Sequence, residues 1–140
     1  MLVTNNANPL AVRRPSGGHT EPDQIRSREL SAITVLITAR GEVDAANAGR
    51  ISDHIDRRLA GYRQLVLDLS KLEFCGTAGF SVLHWVRSRC ERTGTAWVLV
   101  PGPEVVRMLR VCDPDRTLPT ASNIVSAVAT LTRHYVRRVG

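Results

Sequence analysis

Aromatic side chains make up only 4% of the 140 residues, and the sequence contains three cysteines and a single lysine. Because 43% of the residues are hydrophobic, a core can form, and it must be built mainly from Val, Leu, Ile and Ala. The apolar runs, such as residues 97–100, are too short to cross a bilayer, and the first thirty residues hold no stretch of signal-peptide length. We therefore expect a cytoplasmic protein without a membrane partner.

The three cysteines, Cys75, Cys90 and Cys112, are widely spaced and form neither a paired-cysteine motif nor a cluster with histidine. The four histidines are scattered as well, so we expect free thiols, no metal site and no cofactor. The sequence also lacks a glycine-rich phosphate loop and a nucleophile elbow, and no base lies beside a nucleophile. These absences predict a protein that is not an enzyme and has no catalytic residues.

Positive charge is in excess, with 19 basic and 13 acidic residues and a net charge of +6, and eighteen of the basic residues are arginine. Acidic residues are interspersed with the basic ones, except near the end of the chain at Arg133, Arg137 and Arg138. A basic face of that kind can bind nucleic acid. Nucleic-acid binding by the last helix is therefore an alternative, although the mixed charge pattern elsewhere disfavours it.

Asparagine, proline and glycine interrupt the start of the chain, so residues 1–22 are predicted to be a disordered tail before a single domain at residues 23–140. Within the domain, short β-branched or apolar runs alternate with segments of helical periodicity. The predicted strands are residues 24–30, 33–39, 65–69 and 96–100, with a brief further strand at 117–120. The predicted helices are residues 48–59, 77–90, 104–111 and 124–135.

This alternation predicts an α/β fold with a mostly parallel sheet of four to five strands, a mixed edge and about four helices. Residues 41–44 are predicted to be a turn, and residues 74–79 a loop of small residues. Asp44 and Ser122 are each followed by helical periodicity, so they are predicted to cap the first and last helices.

Three segments of the chain contain recognisable motifs. They are residues 41–44 (GEVD), 65–80 (LVLDLSKLEFCGTAGF) and 101–109 (PGPEVVRML). In order and spacing they resemble the STAS domains of bacterial anti-sigma-factor antagonists. The first looks like the family's G-E-[LIV]-D signature, and the third is similar to its N-x-S-P-x-V-R-R-[LV]-L stretch. The second is similar to the strand–loop–helix core, a hydrophobic residue followed by D-[LF]-S-x-[LV]-x-F-[IM]-D-S-S-G-[LF]. The likeness covers roughly residues 33–135.

The resemblance implies a function, since members of this family bind an anti-sigma factor, often an ATP-binding serine kinase, and thereby free a sigma factor. Phosphorylation of one Ser or Thr in the D-S-S-G loop breaks that complex. Matched residue by residue, Gly76 falls on the Asp, Thr77 on the phosphoacceptor, Ala78 on the second Ser and Gly79 on the Gly. The resemblance therefore implies an anti-sigma factor as the partner and Thr77 as the phosphorylation site.

The resemblance also implies a partner-binding surface made by two loops at the carboxyl ends of neighbouring strands, the usual functional edge of a parallel sheet. This surface comprises Glu42, Asp44, Cys75, Gly76, Thr77, Ala78, Gly79 and Phe80. Its small residues let a partner's backbone approach closely, and a phosphate there would add about −1.5 to −2 charge.

Gly76 departs from the family's Asp, which leaves two alternatives open. Either Thr77 is a phosphorylated switch, or it is only a helix cap and the chain is a docking module that is constitutive or redox-controlled. The cysteine pair considered for redox control is Cys90 with Cys112, because both are predicted at the sheet edge opposite Cys75. A bridge from Cys75 to Cys90 is disfavoured because the helix between them spans about 20 Å.

Overall fold

A four-stranded sheet with the order β1-β2-β3-β4 forms the centre of the structure, a computed structural model that describes residues 24–139. The strands are β1 (Ile25–Glu29), β2 (Thr34–Val43), β3 (Gln64–Cys75) and β4 (Ala96–Val100). β1 pairs antiparallel with β2, whereas β2, β3 and β4 run parallel. The predicted mostly parallel sheet with a mixed edge is therefore confirmed. The predicted tail, residues 1–22, lies outside the described residues.

Four helices cover the two faces of the sheet, and they are α1 (Ala48–Leu59), α2 (Thr77–Thr93), α3 (Gly102–Cys112) and α4 (Ile124–Val139). The apolar side chains of α1, α2 and α3 share one core with Leu65 and Leu67 of β3, and α4 packs on the other face around Val66. Successive residues of β3 thus point to opposite buried faces, which explains why the strand reads as a continuous apolar run. Within residues 24–139, no helix has both the length and the apolar character needed to span a membrane.

The predicted last strand and both predicted caps are wrong. Of residues 117–120, only Thr120 pairs with the sheet, in a single bridge to Leu99. The backbone N–H of Ser126 donates to Oδ1 of Asn123 at 2.8 Å, so Asn123 and not Ser122 caps α4. The residue in the capping position of α1 is Asn47, and its side chain makes no capping hydrogen bond. Asp44 lies three residues before this position, so it does not cap α1.

β2 and β3 continue well past the predicted strand ends, so the predicted turn at residues 41–44 and the predicted loop from residue 74 are wrong. The extra pairs are Arg40 with Lys71, Gly41 with Leu72, Glu42 with Phe74 and Val43 with Cys75. We call this two-stranded extension, residues 40–43 and 71–75, the β2–β3 ribbon. Its register shifts twice, between Thr38 and Arg40 and between Gly41 and Glu42.

α3 lies close against β3 because Gly102 starts the helix with no side chain. Its φ is +70°, a left-handed conformation that favours glycine, and a Cβ there would collide with the backbone of Ser70. Val105 and Met108 of α3 are consequently buried against the core. This contact covers one face of the β2–β3 ribbon and helps to position the loop that follows it.

Candidate functional site

The ends of β2 and β3 bring the two predicted loops together. The backbone N–H of Gly76 donates to the carbonyl oxygen of Val43 at 3.1 Å, directly after Val43 has paired with Cys75. Glu42 and Asp44 therefore lie beside the β3–α2 connection that carries Thr77. This is the edge of the sheet at which the sequence predicted a partner surface.

Thr77 is the first residue of α2, and its side chain is exposed to solvent. The residue in the capping position is Gly76, and no side chain caps the helix, so the interpretation of Thr77 as a helix cap is wrong. Its hydroxyl makes no hydrogen bond to another described residue. The first turn of α2 contains no acidic residue, and its free N–H groups give this helix end a partial positive charge.

The two glycines of the connection have different surroundings. A Cβ on Gly79 would collide with Sγ of Cys75 and would also contact Met108 at 3.7 Å, so this buried position excludes a side chain. A Cβ on Gly76 would lie 3.3 Å from Cε2 of Phe74, with the backbone in an extended conformation that any residue adopts. Gly79 is therefore required for packing, whereas Gly76 is not.

Asp44 and Glu42 have different parts in the neighbouring loop. Oδ1 of Asp44 accepts hydrogen bonds from the backbone N–H groups of Ala46 at 2.9 Å and Asn47 at 3.1 Å. The carbonyl oxygen of Glu42 accepts hydrogen bonds from the side-chain amides of Asn47 at 2.7 Å and Gln24 at 2.8 Å. Asp44 thus orders the loop, while the carboxylate of Glu42 stays exposed on a backbone that is held in place.

The other predicted site residues are less accessible. Cys75, Gly76, Ala78 and Phe80 are half-buried, and Gly79 is fully buried. The ring of Phe80 lies 6.4 Å from the ring of His84 on the next turn of α2. The residues of the predicted surface that are exposed to solvent are Glu42 and Thr77.

The cysteines are arranged differently from the prediction. Burial raises the pKa of the Cys75 thiol to about 11, and nearby Glu104 and Cys112 raise it further. Burial likewise raises the pKa of Cys90 to about 11, and the charged groups that act on Cys90 are Arg89 and Glu91. Cys112 therefore lies near Cys75, and its predicted place at the opposite sheet edge is wrong. α3 starts beside Ser70 and ends near Cys75, so it follows the direction of β3, which the sequence did not reveal.

Phe74 is a surface residue that the sequence-based prediction missed. Its side chain is 49% exposed, and it stands between the ribbon and the first turn of α2. Regular strand alternation would place Phe74 on the same buried face as Leu72, so the sequence pattern does not predict that Phe74 is exposed. Within residues 24–139, no group of three or more His, Cys, Asp or Glu side chains is arranged to hold a metal ion.

Comparison with known proteins agrees with this arrangement. The model of the STAS domain family matches residues 24–127. The chain belongs to the STAS domain family. It is 33% identical over 99 residues to the anti-sigma-F factor antagonist RsfA of Mycobacterium tuberculosis, covering 68% of this chain and 77% of that relative. The family membership confirms the resemblance drawn from the three sequence motifs.

The chain is also similar to two further proteins. Osmosensory protein A of Mycobacterium tuberculosis is 42% identical over 86 residues, which are 61% of this chain but only 54% of that relative. The chain thus spans about half the length of that protein. The crystal structure of an anti-sigma factor antagonist from Mycobacterium paratuberculosis superimposes with a TM-score of 0.66 at 25% identity, over 80% of this chain and 97% of the other.

Proposed function

We propose that this STAS domain is an anti-sigma-factor antagonist, which binds an anti-sigma factor and so frees a sigma factor for transcription in the cytoplasm. It acts as a binding protein and not as an enzyme. The proposal is supported by the names of two of its relatives, which are anti-sigma factor antagonists. The observation that carries it is the exposed Thr77 hydroxyl at the open end of α2, at the position where the family has its phosphoacceptor.

In this proposal, phosphorylation of Thr77 switches the antagonist off, because it releases the anti-sigma factor. A phosphate at the first residue of α2 faces free N–H groups and meets no acidic residue in the first turn, so the fold tolerates it. For a partner, the same group adds about −1.5 to −2 charge to a small, neutral loop. The complex is weakened while the antagonist stays folded.

The alternative is a docking module that is not phosphorylated. Gly76 supports it, because the ring of Phe74 lies beside the α-carbon at the position where the family has a carboxylate. Redox control is a weaker variant. Cys112 acts on Cys75 and not on Cys90, which disfavours the predicted Cys90–Cys112 pair. Burial also raises the pKa of Cys75 and Cys90 to about 11, which leaves little reactive thiolate at neutral pH.

Capture of the partner from native cell extract tests the proposal, with wild type, Thr77→Glu and Ser126→Glu compared. Ser126 is the control because it is another exposed hydroxyl residue in the first turn of a helix, on α4. We expect wild type and Ser126→Glu to capture the same anti-sigma factor, identified by mass spectrometry. Thr77→Glu is expected to bind it at least tenfold more weakly, about 1.4 kcal/mol.

Two results would count against the proposal. Equal capture by wild type and Thr77→Glu would show that Thr77 lies outside the interface, and absence of any anti-sigma factor would reject the function itself. Incubation of the purified protein and its captured anti-sigma factor with ATP then distinguishes the phosphorylation switch from the docking module. A phosphate mapped to Thr77, and lost in Thr77→Val, supports the switch, whereas an unmodified chain in a stable complex supports the docking module.

A further inference from the structure

Phe74 is exposed although the protein has few aromatic side chains. The chain contains two phenylalanines, and the other, Phe80, is half-buried against the core. Burying an aromatic ring is strongly favourable, so a ring that stays 49% exposed gives up part of that stabilisation. Such exposure next to Thr77 suggests that another surface covers the ring.

A β-bulge causes the exposure. On β2, Gly41 and Glu42 are consecutive, but their partners on β3 are Leu72 and Phe74, so Glu73 is an extra residue. In a regular strand Leu72 and Phe74 would share one face. Leu72 is 5% exposed and points into the core, whereas the bulge turns Phe74 outward. Bulges are built-in features that redirect a side chain next to functional sites.

The surroundings of the ring define the chemistry of its partner. Glu42 is the cross-strand neighbour of Phe74, and Gly76 leaves one side of the ring uncovered. Among the described residues, neither Glu42 nor the bulge residue Glu73 forms an ion pair. The end of the ribbon nearest Thr77 therefore presents an apolar ring beside unpaired carboxylates, whereas the exposed basic pair Arg40 and Lys71 lies on the same face at the far end of the ribbon. An apolar pocket with a basic rim is complementary to that surface.

Phe74 differs from the other exposed apolar side chains by its position. Those side chains are Val106, Val111, Val125, Tyr135 and Val136, and they lie on α3 and α4. Phe74 adjoins the connection that carries Thr77, so its surface is continuous with the predicted partner surface. A single aromatic side chain near the centre of an interface commonly dominates the binding energy.

We propose that Phe74 is the apolar anchor of the interface, inserting into an apolar pocket of the anti-sigma factor whose basic rim faces Glu42. This inference rests on the proposed function and adds to it the chemistry of the partner. The bulge at Glu73 serves to turn the anchor outward, and Gly76 keeps the approach to the ring open. The binding surface therefore extends from Thr77 onto the open face of the β2–β3 ribbon.

The test measures the dissociation constant by titration calorimetry, using the purified anti-sigma factor that the wild-type chain captures. Phe74→Ala is compared with Tyr135→Ala, which truncates a similarly exposed aromatic side chain on α4. We expect Phe74→Ala to weaken binding about 30-fold and Tyr135→Ala less than twofold. Phe74→Leu should recover most of the affinity, because an apolar pocket accepts another apolar side chain.

Glu42→Arg is a second variant that leaves Phe74 intact and reports on the basic rim. We expect it to weaken binding about tenfold and to reduce the dependence of the affinity on salt. Urea unfolding of each variant shows whether the fold is retained. If Phe74→Ala does not fold, Glu42→Arg still decides the question.

The outcomes separate this proposal from the function on which it rests. Equal affinity of wild type and Phe74→Ala, or wild-type affinity of Glu42→Arg, overturns the anchored interface and leaves the antagonist function standing. If wild type binds no anti-sigma factor, both fail. A 30-fold loss that is specific to Phe74, with unchanged urea midpoints, supports the anchor.

Discussion

At the scale of single residues, the connection between β3 and α2 contains two glycines with opposite requirements. Gly79 is buried, and the thiol of Cys75 occupies the space that a Cβ would need. Gly76 meets only the half-exposed ring of Phe74 on that side. The family motif has glycine at the position of Gly79, where packing requires it, and aspartate at the position of Gly76.

Gly76→Asp is expected to leave the stability unchanged to within about 0.5 kcal/mol, because an acidic residue before α2 suits the helix end and the Phe74 ring can move slightly. Gly79→Ala, in the same connection, should cost about 1–3 kcal/mol by overpacking. Urea unfolding of both variants measures this difference. Comparable destabilisation of the two would contradict the assigned roles.

If the kinase-type partner needs the family's carboxylate, Gly76→Asp should also speed the phosphorylation of Thr77. Intact-mass spectrometry of wild type and Gly76→Asp, incubated with the partner and ATP, measures this. Equal rates would show that the missing carboxylate does not limit recognition.

At the scale of elements, the segment after α3 depends on one carboxylate. Asp113 is buried and accepts hydrogen bonds from the hydroxyl of Thr117 at 2.7 Å and from the backbone N–H groups of Thr117 and Leu118. Arg87 of α2 donates to the same hydroxyl at 3.2 Å. These bonds tie the end of α3 to the segment that pairs with β4 and leads into α4.

Burial by itself raises the pKa of Asp113, but the hydrogen bonds from Thr117 and Leu118 outweigh it and hold the pKa below its ordinary value of 3.8. Because the pKa is lower in the folded state, the carboxylate stabilises the fold above about pH 4 and loses this effect as the pH falls through the folded pKa. Asp113→Asn should cost about 1–3 kcal/mol at neutral pH.

Urea unfolding at several pH values tests this prediction against Asp115→Asn, an exposed carboxylate in the same loop. The difference between wild type and Asp113→Asn should shrink below pH 4, whereas Asp115→Asn should resemble wild type throughout. A difference that is independent of pH would point to lost packing instead of lost ionic hydrogen bonds.

At the scale of the whole molecule, two buried or half-buried thiols link stability to alkaline pH. The pKa values of Cys75 and Cys90 are raised from 9.0 to about 11, first of all by burial. The unfolded chain therefore releases these protons at a lower pH than the folded chain. The free energy of unfolding should fall between about pH 9 and pH 11. At pH 10 the unfolded chain binds roughly one and a half fewer protons than the folded chain, and this difference sets the slope.

The double variant Cys75→Ala/Cys90→Ala removes both thiols, so its stability should decline less steeply over this range. Thermal or urea unfolding from pH 8 to pH 11 gives both slopes, and Cys112→Ala serves as the control. Parallel curves for the wild type and the double variant would contradict the assignment.

The fold class could be predicted from the sequence, because the alternation of apolar runs and helical periodicity admits little besides a helix-covered parallel sheet. Residues 48–59 were predicted as a helix and form one, since Ile51, Ile55 and Leu59 recur on one face. The motif at residues 65–80 likewise indicated the family and the place of Thr77. These features depend on local periodicity and on residue order, which the sequence contains directly.

The way in which the site residues are exposed depends on contacts between distant segments of the chain. The β2–β3 ribbon extends through residues that read as turn and loop, because pairing between distant strands overrides local turn preference. The bulge at Glu73 reverses the face of Phe74, and the packing of α3 brings Cys112 near Cys75. A one-residue register shift and the path of α3 are set by contacts between distant segments, and no local pattern encodes them.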